Sequence, residues 1–392
     1  MREIRTGVIP VGAIDWDRRI FDELIPLPEG TTYNAYLVRG GGKTALIDTV
    51  DPTKEGELFS NLDELKVDRI DYLVANHAEQ DHSGVIPRVL ARYPTAQVVT
   101  TQRGKELLVS LLHIPEERIT TVQDRETLSL GDRTLEFIHA PWVHWPETML
   151  TYLREERVLF TCDLFGSHFA TAEPGIDDLG RVYWSAKRYY AEIMMPFRGL
   201  IQGHLEKIRP LPIEIIAPSH GPVYRKPGEI LSAYKDWVSD SVKNEVVIPY
   251  VSMHHSTAAM VRHLEKALTD RGIVAIPFNL TVTDIGELAM ALVDAATVIV
   301  GTPTVLTGPH PAAIYATYLV KLLKPKVRAC GVIGSYGWGG KTVKEIAGIL
   351  QGLPVEFLDP VLVKGLPGPE DLRALDRLAD TIAEKHRSYG IL

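Results

Sequence analysis

One stretch constrains this chain more than any other: Asn76-His77-Ala78-Glu79-Gln80-Asp81-His82-Ser83-Gly84. Before it, Ile70-Asp71-Tyr72-Leu73-Val74-Ala75 reads as a buried strand. After it, residues 85–90 read as a helix. Four metal-capable side chains fall within six residues. In an extended loop alternate residues face the same way, so His77, Glu79 and Asp81 converge on one point. His82 breaks the alternation and points elsewhere, at a second metal or at none. The plain alternative is a polar turn whose Asp81 or Ser83 caps the helix. That accounts for a single His or Asp, but a solvated turn has no need of two imidazoles and two carboxylates so spaced.

The chain has 392 residues, enough for two or three domains with substantial cores. A net charge of -8 argues against nucleic acid as the main partner. No apolar run approaches a membrane span, and Met1-Arg2-Glu3-Ile4-Arg5 lacks the apolar core of a signal peptide, so a cytoplasmic protein is expected. Only Cys162 and Cys330 are present. There is then no disulfide framework, no CxxC and no thiolate iron–sulfur or rubredoxin-type site. Any metal must be held by His and carboxylates.

Over residues 1–245, short apolar runs alternate with turns. Residues 32–38 and 44–48, joined by Gly40-Gly41-Gly42, read as a hairpin, and 128–138 as another. Residues 54–66 and 103–112 read as helices and 98–100 as a strand. This mixture predicts a layered α/β sandwich. Further metal-capable residues stand at the ends of apolar runs: His144 in Pro141-Trp142-Val143-His144-Trp145-Pro146, Asp163 after 158–162, and His220 after 215–219. Each alone reads as a turn or cap residue. With the 77–82 cluster, they predict loops converging at one edge of the sandwich.

Residues 229–242 read as an amphipathic helix, after which the pattern changes. Strands at 246–251, 274–278, 297–301, 326–334 and 355–357 alternate with helices at 256–271, 284–294, 311–323, 341–351 and 370–387. This predicts a doubly wound parallel sheet over 246–392. Such sheets bind ligands beyond the carboxyl ends of their strands. Three of these ends are rich in hydroxyls or glycine. Ser252, Met253, His254, His255, Ser256 and Thr257 lead into a helix N-terminus that suits a phosphate. The second loop carries Thr302, Pro303, Thr304, Leu306 and Thr307. The third carries Ser335, Tyr336, Gly337, Trp338 and Gly339, with glycines that admit a flat ring and two aromatic faces. The absence of GxGxxG and GxxxxGK[ST] disfavours a dinucleotide or nucleoside triphosphate. FMN fits best; ordinary turns and N-caps are the alternative.

Taken together, the HxExDH cluster at 77–82, His144-Trp145-Pro146, Asp163-Leu164-Phe165-Gly166, Ala217-Pro218-Ser219-His220-Gly221 and the three loops resemble the flavodiiron proteins over almost the whole chain. The resemblance implies an α/β protein: an N-terminal metallo-β-lactamase-like αββα sandwich plus a C-terminal flavodoxin-like doubly wound parallel sheet. Zinc hydrolases of the first fold carry HxHxDH; Glu79 in place of the second His is the flavodiiron form. Three imidazoles and three carboxylates also make a harder donor set, suited to redox iron. The resemblance assigns His77, Glu79 and His144 to one iron and Asp81 and His220 to the other. Asp163 and a hydroxide bridge them, and the role of His82 stays open. It implies reduction of O2 to water with four electrons, or of two NO to N2O with two, fed by FMN. It also implies a head-to-tail homodimer or a dimer of dimers. No rubredoxin or flavin reductase segment is fused within the sequence, so a separate donor is expected, rubredoxin or reduced coenzyme F420.

The chain departs from that family at His254, where Tyr or Trp is frequent, and at Phe21-Asp22-Glu23-Leu24, which lacks a His many members carry. Two other functions compete: a lactamase-fold zinc hydrolase with a flavodoxin-like regulatory domain, and an electron-transfer flavoprotein with a degenerate metal site. Cys162 reads as a buried structural thiol. His168 reads equally as a neighbour of the metal ligands or as a surface residue. Trp142 and Trp145 read as packing, and His113, His204 and His310 as ordinary.

Overall fold

In the paired strands Tyr36–Arg39 and Thr44–Ile47, successive side chains enter different cores. Tyr36, Val38, Ala45 and Ile47 face one apolar layer, whereas Leu37 and Leu46 face another. A sheet apolar on both faces must be covered on both. The computed structural model, which describes residues 2–392, does this with a second sheet and with helices. The first sheet runs Val8–Pro10, Tyr36–Arg39, Thr44–Ile47, Tyr72–Val74, Gln97–Thr100, Ile119–Thr121. The second runs Thr127–Ser129, Thr134–His139, Met149–Leu153, Val158–Cys162, Ile215–Pro218, Val223–Tyr224, Gly175–Ile176. Val74 and Val99 of the first sheet meet Phe137, Met149 and Phe160 of the second between the layers. Helices Glu55–Glu64, Ile86–Arg92 and Gln102–Leu112 close the other face of the first sheet through Leu58, Ile86, Val89 and Leu108. Helices Tyr183–Tyr189, Arg198–Ile208 and Gly228–Trp237 complete the αββα order, burying Ile201, Ile230, Tyr234 and Trp237.

The chain divides into two compact units. One holds the residues up to Tyr190 together with Phe197–Val238; the other holds Ala191–Pro196 and Ser239–Leu392. The second unit is a parallel sheet in the order Val274–Asn279, Lys243–Tyr250, Ala295–Val305, Ala329–Tyr336, Glu356–Phe357. That order, 2-1-3-4-5, is the flavodoxin-like one. Helices Ser256–Thr269 and Pro369–Ser388 share one apolar core with the sheet through Leu264, Leu268, Leu375, Ile382 and Ile299. Among the described residues no helix is long and apolar enough to cross a membrane.

Several local expectations change. Residues 80–83 are a helical turn, Gln80–Ser83, with Glu79 in extended conformation at its start, so the loop is not extended through Asp81. The run 32–38 is broken: Thr31–Tyr33 pairs with Ala13–Asp15, and Tyr36–Arg39 with Val8–Pro10. Asn34 causes the break. Its N–H donates to the Ser219 carbonyl (2.8 Å), and its side-chain amide donates to the carbonyls of Pro218 (2.9 Å) and Gly221 (2.7 Å). The helix read at 229–242 ends at Trp237. The third strand of the parallel sheet continues to Val305, and a strand at Val361–Lys364 adds beside Ala329–Tyr336. Tyr183–Tyr189, a π-helical turn at Tyr190–Met194 and Arg198–Ile208 had no counterpart in the sequence reading.

Candidate metal centre

Every candidate ligand hangs on a loop at a strand end. Tyr72–Val74 leads to His77, Val158–Cys162 to Asp163 and Ile215–Pro218 to His220. His144 lies in the connection between Thr134–His139 and Met149–Leu153. Hydrogen bonds lock these loops together. The Ser219 N–H donates to the Cys162 carbonyl (2.8 Å), Ser167 N–H to the His220 carbonyl (3.1 Å) and Met149 N–H to the Asn76 carbonyl (2.9 Å). Asn76 is held further by buried Asp48, which accepts from its backbone N–H (2.8 Å) and its side-chain amide (2.9 Å). Burial pushes the Asp48 carboxyl up to about 6, against the pull of His82 and these hydrogen bonds.

The side chains form two clusters around one carboxylate. On one side, Glu79 Oε2 lies 3.2 Å from His77 Nε2 and 3.1 Å from His144 Nε2. Asp163 Oδ2 lies 3.5 Å from His77 Nε2 and 3.7 Å from His144 Nε2. On the other side, Asp81 Oδ2 lies 3.2 Å from both His82 Nε2 and His220 Nε2. Asp163 turns its second oxygen that way, Oδ1, 3.2 Å from His82 Nε2 and 3.5 Å from His220 Nε2. The six expected ligands therefore meet, and His82 joins the Asp81–His220 cluster rather than pointing away.

This chemistry asks for cations. His77, Asp81, His82, Asp163 and His220 are buried, and both Asp81 oxygens lack a hydrogen-bond partner among the described residues. Burying carboxylates without paired positive charge is costly. With only imidazoles as counter-charges, burial works against charged His82, but Asp81 and Asp163 outweigh it and lift its pKa to about 9. Metal ions supply that positive charge and displace the protons. A set of three carboxylates with imidazoles suits iron.

Further residues hold this centre, and of them the sequence marks only His168, as a neighbour of the metal ligands or a surface residue; it is the former. Glu147 places Oε1 2.6 Å from His77 Nδ1. The Thr32 carbonyl lies 2.7 Å from His220 Nδ1. The Tyr189 hydroxyl donates to Asp163 Oδ1 (2.7 Å). His168 is buried against His220, with ring centroids 4.9 Å apart, and its Nδ1 lies 2.9 Å from the Thr31 hydroxyl. Burial and the neighbouring His220 hold it well below the usual histidine range, hence neutral. Of those the sequence reading missed, only Glu147, three residues beyond His144, carries a signal that could have found it: a carboxylate inside a ligand loop. Trp145 packs its edge on His77 (5.1 Å), whereas Trp142 is exposed and stacks on Phe197. Cys162 is buried, and burial pushes its thiol well up.

In the second unit, the three loops stand at the carboxyl ends of adjacent parallel strands. Ser252 Oγ accepts from Ala258 N–H (3.1 Å), and the Thr257 and Ser335 hydroxyls lie 3.1 Å apart. His255 and Leu306 take left-handed backbone conformations. Met253, His254, Leu306, Thr307 and Trp338 are exposed; a side chain at Gly337 or Gly339 would meet nothing within 4 Å. Thr302 is buried, with its hydroxyl taken up by His310 N–H (3.0 Å) and the Pro303 carbonyl (3.0 Å). Pro303 and Thr304 lie within the lengthened strand rather than in a loop, and Thr304 meets the Thr342 hydroxyl at 2.9 Å.

Comparison with known proteins agrees with both units. A family model described as ODP family beta lactamase matches residues 31–221. The nitric oxide reductase of Moorella thermoacetica is 38% identical, covering 97% of this chain and 98% of its own length. The rubredoxin oxygen:oxidoreductase structure from Desulfovibrio gigas superposes with a TM-score of 0.96 at 32% identity over 100% of both chains. The flavodiiron protein structure from Giardia intestinalis gives 0.92 at 28% identity, covering 99% of this chain and 97% of its own. The chain belongs to the flavodiiron protein family.

Proposed function

We propose that this protein reduces O2 to water, NO to N2O, or both, at a diiron centre fed by FMN. The observation that carries the reading is Asp163, whose two oxygens face two separate imidazole clusters. His77, Glu79 and His144 would hold one iron, and Asp81 and His220, with His82, the other; Asp163 would serve both. In the second unit, Ser252, Ser256 and Thr257 would bind the FMN phosphate, while Met253, His254, Leu306, Thr307, Tyr336 and Trp338 would flank its ring. Two ferrous ions and one reduced FMN together supply four electrons, the number O2 needs to yield two waters; two NO need two.

The chain's own residues position and shield this centre. Thr32 and Glu147 fix the ring orientation of His220 and His77 through their Nδ1 atoms. Tyr189 holds the Asp163 carboxylate by its hydroxyl. Buried Val143, Leu164 and Phe165 keep bulk water from the ligand loops. Electrons would come from rubredoxin or reduced coenzyme F420. A head-to-tail homodimer would bring one chain's flavin to its partner's irons.

The test is anaerobic stopped-flow mixing of the fully reduced, iron-loaded protein with O2 and with NO separately, following flavin absorbance. Reoxidation by at least one gas is expected. No reoxidation by either, or a preparation with two zincs, no flavin and esterase activity, overturns the reading.

A further inference from the structure

Four imidazoles surround the centre, and the far nitrogens of three of them, His77, His82 and His220, are treated differently. His77 Nδ1 faces the Glu147 carboxylate at 2.6 Å, inside a pocket where both residues are buried. Glu147 is itself fixed: the same oxygen accepts from Ala78 N–H (3.0 Å), and its backbone carbonyl accepts from the Thr101 hydroxyl (3.0 Å). In the other cluster, His220 Nδ1 meets a neutral acceptor, the Thr32 carbonyl, at 2.7 Å. His82 Nδ1 is buried with no hydrogen-bond partner among the described residues. Of these three rings, His77 is the one whose Nδ1 is hydrogen-bonded to a carboxylate.

A carboxylate accepting the Nδ1–H fixes the tautomer, keeps the Nε2 lone pair pointed at the metal and makes that nitrogen a stronger donor. A backbone carbonyl fixes orientation but adds no negative charge. An unpartnered buried N–H does neither, and it disfavours the tautomer that ligates through Nε2.

We propose that Glu147 is a positioning residue that makes the two metal sites unequal, so that the His77–Glu79–His144 site fills first and holds its ion more tightly than the Asp81–His82–His220 site. This rests on the two-metal reading above. Asp163 is shared, each cluster has one carboxylate of its own, Glu79 or Asp81, and buried Asp48, whose charge interacts with His82, spends its hydrogen bonds on Asn76 rather than on a ligand Nδ1.

The test is an anaerobic titration of metal-stripped, FMN-loaded protein with Co2+, read by calorimetry and by the cobalt absorption bands. The wild type should take up two ions in two resolved steps. In Glu147→Gln, which retains an oxygen for Ala78 N–H, the tight step should weaken 10- to 100-fold and the weak step should stay in place. Far-UV circular dichroism and flavin content check that the variant folds. Should it not fold, His144→Ala and His220→Ala decide the matter: the first should abolish the tight step and the second the weak one. Equal steps in the wild type, an unchanged tight step in Glu147→Gln, or the reverse assignment in the His variants overturns the inference while leaving a two-metal protein. Failure to bind two ions at all removes the two-metal reading itself.

Discussion

His386 shows how a buried imidazole behaves away from any metal cluster. Its Nδ1 lies 2.7 Å from Asn244 Oδ1 and its Nε2 2.9 Å from the Thr297 hydroxyl. A neutral ring meets both needs, Nδ1–H donating to Asn244 and Nε2 accepting from Thr297. Burial pushes its pKa down to about 4 from an unfolded value of 6.5. The folded pKa lies below the unfolded one, so its contribution is complete above pH 6.5 and is lost as pH falls from 6.5 to 4. The loss is at most about 3 kcal/mol. Denaturant unfolding at pH 7 and at pH 4.5 should show a smaller drop in stability for His386→Gln than for the wild type; equal drops refute the assignment. In the sequence, His386 had no mark beyond its place in a helix. Its partners lie 142 and 89 residues away. Thr31 and Tyr189 were obscure for the same reason: a side chain that supports the centre has no periodicity, and the residue it supports is distant in sequence. The 77–82 ligands were legible because four of them share one turn.

Among the elements, the break at Asn34 ties the edge of the first sheet to the His220 loop through one backbone and two side-chain hydrogen bonds. Asn34→Ala removes the two side-chain bonds, leaving the Pro218 carbonyl to the Tyr36 hydroxyl (2.6 Å) and the Gly221 carbonyl to the Thr32 hydroxyl (3.4 Å). It should cost about 1–3 kcal/mol in denaturant unfolding. The same variant should also retain less metal after dialysis, because His220 loses its fixed loop; undiminished retention would argue that the loop holds itself. The sequence displayed most elements through their patterns: the apolar runs flanking Gly40-Gly41-Gly42 and the strand–helix alternation after 246 were plain. It hid the broken strand, because 32–38 is mostly apolar and one polar residue, Asn34, does not by itself end a strand. It hid 183–208 because that stretch passes through a π-helical turn between two helices, which no single period describes. The end of Ala295–Val305 was misplaced because Thr302 and Pro303 read as loop residues, yet their backbones pair with Gly334 and Ser335.

At the scale of the whole molecule, the ligand clusters and the flavin-type loops lie in separate compact units. Stripping the protein with a strong iron chelator should therefore abolish O2 and NO consumption while leaving the flavin spectrum and FMN stoichiometry unchanged. In calorimetry it should lower the melting of the first unit alone, since a ligand stabilises only the unit that binds it. A parallel loss of FMN would contradict separate sites. The second unit also has a discontinuous chain: Ala191–Pro196, with Ala191, Ile193, Met194 and Met195 buried, belongs to it, although these residues are encoded well before Ser239. A gene cut or fusion at a single point between residues 238 and 239 thus cannot transfer that unit whole. Recombination that moved only the downstream part would leave six residues of that unit behind.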